Sequence, residues 1–428
     1  MSQSVPEPAS DAAFQSLLLK PQLNPQHPLV TLAQAIDWHY FEQEFQSQMA
    51  GEMGRPPLPA RLLVGLHYLK AMYNESDESV VMKWVENPYW QYFCGELYFQ
   101  HQLPCHPTTL VKWRKRVGAS GMEKLLNQVL QTANGQQAFQ KTDLKQVNVD
   151  TTVQEKAIAF PTDARLYDKA RRTLVRQAKQ HQVKLRQSYV RLGKQALLKQ
   201  SRYAAARQGR RAQKQTQKLR TYLGRVIRDI ERKLPVPSAT LRVLLESAKQ
   251  IYKQQKQDAH KCYSVHAPEV ECIAKGKASK KYEFGCKVAV VTTSMSNWIV
   301  GIAAHHANPY DGATLAPALR QVEQLTGIRP KQAIVDQGFR GTQYHPADVE
   351  VLVCKQGKRA GSLKRVLKHR NAIEPIIGHS KTDHGMGRNY LKGRSGDQIN
   401  ALLAGCGFNL RKLYRFLIER GREGLSPC

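Results

Sequence analysis

The chain has 428 residues, 41% of them apolar, and its 65 Lys+Arg against 34 Asp+Glu give a formal charge of +31. At roughly 100 to 200 residues per domain this length holds two or three domains, which excludes a small disulfide-stapled module, and so large a cationic surplus fits a polyanionic partner, nucleic acid first. No apolar run approaches the roughly 20 residues of a membrane span and no signal-peptide pattern opens the chain, while eight scattered cysteines without a Cys-x-x-Cys pair read as thiols of a cytoplasmic protein.

The charge is uneven. Residues 30–134 hold nine Lys+Arg and ten Asp+Glu, residues 164–258 hold 26 and five, a net +21, and residues 259–428 hold 26 and 13, a net +13. Residues 1–29, rich in Pro, Gln and Ser, read as a disordered lead-in. Leu62, Leu63, Leu66, Leu69 and Tyr73 predict a helix over 59–73. A second spans Ser76 to Cys94 with a break at Pro88, and a third, capped by Thr108 or Thr109, carries Lys112, Trp113, Arg114, Lys115 and Arg116. Short helices ending in a basic one suit a helix-turn-helix reader, in which Lys112, Arg114, Lys115 and Arg116 meet DNA; the plainer alternative is a solvated helix end. End recognition is accordingly expected in this helical domain, 30–134.

After a break at Asn134-Gly135, the alternation in Lys145 to Val153 predicts a half-buried strand that carries Asp150. From Ala164 to Leu234 there is no proline, and Leu219, Leu223, Val226 and Ile230 form one apolar seam, so a long Arg-rich helical hairpin or coiled coil is expected, with a further helix over Ala239–Lys253. Tyr282–Thr293 and Asn297–Ala304 read as a hairpin, followed by a helix near Gly312–Leu325, a strand Gln332–Asp336, a strand Val349–Cys354 and a helical tail from Asp397 to Leu417. This order describes an α/β mixed sheet with helices packed on it.

A carboxylate on a buried strand needs a compensating cation, so Asp150 and Asp336 point to a divalent metal, unless Asp150 is exposed and Asp336 merely starts a turn. At about 100° per residue, Arg370, Glu374 and Lys381 fall at roughly 0°, 40° and 20° on a helix, an acid between two cations. That face suits a metal ligand flanked by phosphate clamps; the rival reading starts the helix at Asn371 and makes Asn371-x-x-Glu374 a capping box, and Pro375 counts against a helix running through it. Asp311 reads as a helix N-cap and His305 and His306 as surface residues. A zinc site from Cys94, His101, Cys105 and His106 matches no common spacing.

On these blocks the chain resembles the DDE transposases of bacterial insertion sequences, most closely the insertion sequence 5 family. The resemblance covers about residues 30 to 420. It rests on VNVDTT around Asp150, on Asp336-Gln337-Gly338-Phe339-Arg340, on Arg370, Glu374 and Lys381, on the stretch NAIEPIIGHSKTDHGMGRNYLKG and on the N-terminal RPPLPARLLVGLHYLKAMYNESDESV. Leu367 stands where the family has Tyr. The resemblance implies an RNase H-like catalytic domain over 135–428, interrupted by the basic helical insertion 164–258, and an N-terminal all-α DNA-binding domain. It further implies two Mg²⁺ or Mn²⁺ ions held by Asp150, Asp336 and Glu374, with Arg370, Lys381 and Arg340 on phosphate. The expected partner is double-stranded DNA, both element ends and target, bound by a homodimer or higher oligomer on the nucleoid. The expected reaction is hydrolysis at the element ends followed by attack of the 3′ hydroxyl on target DNA. Rival readings are a DNA-binding repressor without catalysis and a metal-dependent nuclease without strand transfer.

Overall fold

The computed structural model describes residues 18–49, 57–274, 281–354 and 369–423. Leu367 lies outside them, as do residues 1–17. The chain packs earlier than composition suggests: α1 (Leu19–Gln22) and α2 (Pro28–Ala35) bury Leu19, Leu23 and Leu29, and the Leu19 amide donates to the Leu97 carbonyl. The expected lead-in is therefore ordered structure over 18–29, because its leucines, not its glutamines, decide its fate.

Six helices follow in the N-terminal half. They are α3 (Trp38–Met49), α4 (Ala60–Tyr73), α5 (Asp77–Glu86), α6 (Pro88–Phe93) and the long α7 (Pro107–Gly135), which Gly118 bends at φ 64° into two segments. Counting the bent α7 as two gives the six. Ser76 caps α5 through the Ser79 amide, and Asn87 separates α5 from α6 by accepting from the Tyr89 and Trp90 amides. His106, not Thr108 or Thr109, caps α7, and that helix ends at the break expected at Asn134-Gly135, with Gln136 as its C-cap.

The sheet has six strands: β1 (Gln146–Glu155), β2 (Glu271–Ala274), β3 (Tyr282–Thr293), β4 (Ile299–His305), β5 (Gln332–Val335) and β6 (Glu350–Val353). β1 lies at its centre, antiparallel to β3 and parallel to β5; β3 pairs antiparallel with both β2 and β4, and β6 is parallel to β5. Central placement buries both faces of β1, so Asn148, Thr152 and Gln154 are buried where an alternating strand would expose them. Gly285 is needed on β3, since a Cβ there would stand 1.9 Å from the Gln154 carbonyl oxygen.

Between β1 and β2 the chain makes α8 (Asp163–Gln180), α9 (Val190–Ala205), α10 (Gly209–Lys233) and α11 (Ala239–Lys253), a helical unit with its own core of Leu166, Leu174, Leu219, Leu223, Val226, Ile230, Leu241 and Leu245. It is three helices and a fourth, not one hairpin. α12 (Leu315–Thr326) packs on β3 and β4, α13 (Ile373–Thr382) on β1, and α14 (Gly393–Glu423) on β4, α4 and α7. The main core is continuous from Leu29 and Leu66 through Val149 and Val290 to Leu413, so residue 135 is no break in packing. His306 is not a surface residue: its ring lies 3.8 Å from Glu271 and 3.7 Å from Asp397. Among the described residues, no helix is long and apolar enough to cross a membrane, and Cys94, Cys105, Cys262, Cys272, Cys286 and Cys406 form no disulfide.

Candidate active site

Parallel pairing of β1 with β5 sets Val149 opposite Val335, so the next residues, Asp150 and Asp336, emerge side by side from adjacent strands. Sequence separation hides this neighbourhood. Asp336 does start a turn, as one reading held, for its carboxylate accepts from the Gly338 amide at 2.8 Å; its other oxygen is turned to the site. Asp150 accepts from the Thr151 amide at 2.7 Å.

Arg370 ties the acids together. It lies just ahead of α13, and its Nη2 stands 3.0 Å from Asp150 Oδ2 and 3.8 Å from Asp336 Oδ2, while Nη1 is 3.5 Å from Glu374 Oε1. One guanidinium thus faces three carboxylates, and only its fork can do so from a single side chain. Side-chain exposure rises from 15% at Asp150 through 38% at Asp336 to 67% at Glu374, so the acids form a graded wall from sheet to solvent. Arg370 is itself half-buried, with its Nε buried and unpartnered.

The capping-box reading of Glu374 is not met: Ala372 occupies the N-cap and no side chain caps α13. The proline objection falls with it. Pro375 is the third residue of α13, within the first turn, where an amide has no intrahelical acceptor to lose. Ile373 and Ile376 bury the inner face of that helix, and Lys381 comes in its last turn. Asn148 fixes the preceding segment, its amide donating to the His369 carbonyl at 3.3 Å.

Lys287, Asn148 and Thr151, beside the acids, escaped the sequence reading, and a fourth neighbour, Asp311, has a different role from the one expected. Asp311 is no N-cap: Tyr310 holds that position, and the Asp311 carboxylate instead accepts from Thr151 Oγ1 at 2.9 Å and pairs with Lys287 Nζ at 2.8 Å. A Cβ on Gly338 would stand 2.9 Å from Asp311 Oδ2 and 3.0 Å from Asp336 Oδ1, so glycine alone lets the two acids flank that turn. The signal for Lys287 was a lone cation inside GCKVAVV; Asn148 and Thr151 gave none beyond their place on β1. Arg340 is exposed and donates to Gln337, outside the ring of contacts around Arg370. Among the described residues, no cluster of three or more His, Cys, Asp or Glu side chains stands close enough to hold a metal ion.

The basic segment of α7 divides in two. Lys112, Lys115 and Arg116 are exposed, whereas Arg114 is 3% exposed and forks onto Asp77 at 2.8 and 2.5 Å, with Nη1 also 3.1 Å from His67 Nε2. It is not available to DNA, because Trp113, Arg114 and Val117 form the inward face of the helix. Burial raises the Asp77 carboxyl, yet the Arg114 hydrogen bonds and the Lys70 ammonium outweigh burial and hold it below the usual carboxylate range. Burial, with help from Arg114, pushes His67 down to about 3, which keeps its ring neutral. Arg114 is a strut joining α4, α5 and α7.

Residues 18–116 match a transposase domain family (DUF772), which takes in the ordered α1 and ends at Arg116. The uncharacterized protein ORF8 in the nfe locus of Rhizobium meliloti is 51% identical over 186 residues, 44% of this chain and 89% of that protein. The chain belongs to one family with that protein. No solved structure matches it. The matched region is helical and ends before the sheet and α13, which carry the three acids that meet on Arg370.

Proposed function

We propose that this is a DDE DNA transposase of the insertion sequence 5 type, which cuts phosphodiester bonds at the ends of its element and joins the 3′ ends to target DNA. The observation that carries the reading is the meeting of Asp150, Asp336 and Glu374, from two strands and a helix, on Arg370. The antiparallel β4-β3-β1 set continued by parallel β5 and β6 supports an RNase H-like core, and the match over 18–116 supports DNA as partner.

The donor set is carboxylate oxygen throughout, the chemistry that Mg²⁺ or Mn²⁺ takes, and Asp150, Asp336 and Glu374, here spread around Arg370, would be the holding residues once drawn together. When bound, two such ions supply charge stabilisation to the entering and leaving oxygens of a displacement. The chain's own part is electrostatic and positional. Arg370 now neutralises the acids; once they are neutralised otherwise, its fork is free for two phosphate oxygens, and Lys381 adds a point charge further along α13. Lys287 and Thr151 hold Asp311 against the Gly338 turn and so keep the Asp336 backbone in register with Asp150.

The test incubates the full chain with a plasmid bearing the reading frame and its flanking DNA, a second target plasmid, and Mg²⁺ or Mn²⁺. Nicks exposing 3′ hydroxyls at both flanks, followed by joined donor-target products, are expected. Nicks without joining would make it a nuclease, and DNA retention without nicks a repressor.

A further inference from the structure

The cations of α10 are arranged as a track. Arg211, Lys214, Lys218, Arg225, Arg228 and Arg232 are all exposed and recur at steps of three, four, seven, three and four residues, with Thr221 dividing the step of seven into three and four. On a helix of about 100° per residue they stay within an arc of roughly 100°, and the buried Leu219, Leu223, Val226 and Ile230 lie on the opposite side. At 1.5 Å per residue the row is about 32 Å long, close to one turn of duplex DNA.

Two acids of the unit are buried while these cations are exposed. Asp168 is buried on Arg171 at 2.6 Å; Asp229 is buried, accepting from the Arg186 amide at 2.7 Å and from Arg232 and Lys233; Glu231 pairs with Lys249 on α11. Three of the five acids in 164–258 are thus spent on internal pairs. Arg225 leans on Tyr189 and Arg211 on Gln208, but Lys214, Lys218 and Arg228 make no hydrogen bond or ion pair among the described residues. A fold that needed these cations for its own stability would have given them partners. A row whose Lys214, Lys218 and Arg228 carry no opposing acid instead holds a standing self-repulsion that a polyanion relieves.

We propose that the exposed face of α10 is a docking track for the phosphate backbone of duplex DNA, read without regard to sequence. This rests on the transposase reading for its choice of polyanion. The row runs about 32 Å as cations on one exposed face, a spacing that follows phosphates along one duplex turn. Phosphate neutralisation releases counterions, which makes the track measurable through salt.

The experiment compares the full chain with Arg211→Gln/Lys214→Gln/Lys218→Gln/Arg228→Gln, all surface sites, by titrating a labelled 40-base-pair duplex of arbitrary sequence in EDTA, where no cleavage intervenes. At about 0.9 per neutralised phosphate, the slope of log affinity against log salt should lose about 2 to 4 units, and affinity at about 200 mM salt should fall at least tenfold. The charge-conserving Arg211→Lys/Lys214→Arg/Lys218→Arg/Arg228→Lys should keep both. Unchanged slope and affinity in the glutamine variant overturn the track. Unchanged slope with a smaller sedimenting particle overturns it in favour of assembly through this face, and tighter binding of an RNA duplex overturns the choice of DNA. Since cleavage plays no part, failure of the acid site leaves this result intact, and loss of the track leaves the acid site standing.

Discussion

Arg370 and the cations of α10 are the same chemistry in opposite settings. Arg370 is half-buried and faces three carboxylates. Lys214, Lys218 and Arg228 are exposed in a row with none. Arg114, buried on Asp77 in a helix whose neighbours Lys112, Lys115 and Arg116 are exposed, shows both settings within three residues. Net charge therefore says little about what a given cation does: the partner it meets decides whether it organises a site, braces a fold or waits for phosphate.

The contrast breaks most sharply at the site. Replacing Arg370 by Ala leaves Asp150 and Asp336 without their cation and removes the phosphate fork, and DNA cleavage should fall on the order of 10²- to 10³-fold, as for loss of one preorganised charge donor. Arg370→Lys, which keeps charge but not the fork, should recover only part of it. A gel-based nicking assay reads both, and full activity in the lysine variant would reduce Arg370 to a simple counter-charge.

Arg114→Ala should cost stability and not specificity. Breaking a buried pair from one side costs about 3 to 5 kcal/mol, to be read from denaturant unfolding, while the ratio of specific to random DNA binding in the folded fraction should hold. The same pair sets a pH dependence. The folded pKa of Asp77 lies below its unfolded value, so its contribution is complete above about pH 4 and is lost as pH falls further. The stability gap between wild type and Asp77→Asn should accordingly be widest near neutrality and narrow below about pH 4; a gap that widens in acid would contradict the assigned sign.

The smallest effect is expected at Asp311, which touches Thr151, Lys287 and the Gly338 turn. Asp311→Asn keeps the shape and loses the charge opposite a buried Lys287. Cleavage should fall about tenfold, in kcat more than in the DNA concentration for half-maximal rate, since misplacing Asp336 is a geometric fault.

Much of the fold was legible because periodicity is local. The spacing of Leu62, Leu66 and Leu69, the seam Leu219 to Ile230 and the runs around Asp150 and Val335 named their elements close to the observed bounds. What failed was what depends on partners. The depth of β1 follows from β3 and β5 on either side, the burial of Arg114 from an acid 37 residues away, and the role of Asp311 from a lysine on another strand. Asp150 and Asp336 could be nominated from strand context and Arg370 and Glu374 from helical spacing, but that Arg370 collects all three acids could be seen only once α13 was packed on β1.

The central claim is that Asp150, Asp336 and Glu374 act as one unit. The direct measurement is the Mg²⁺-dependent cleavage rate of Asp150→Asn, Asp336→Asn and Glu374→Gln, singly and in pairs, with DNA retention as the control. Groups that act together are not additive, so each single change should cost on the order of 10³-fold or more and each pair little beyond its worse member. Losses that multiply in the pairs, or a Glu374→Gln protein within about threefold of wild type, would contradict it.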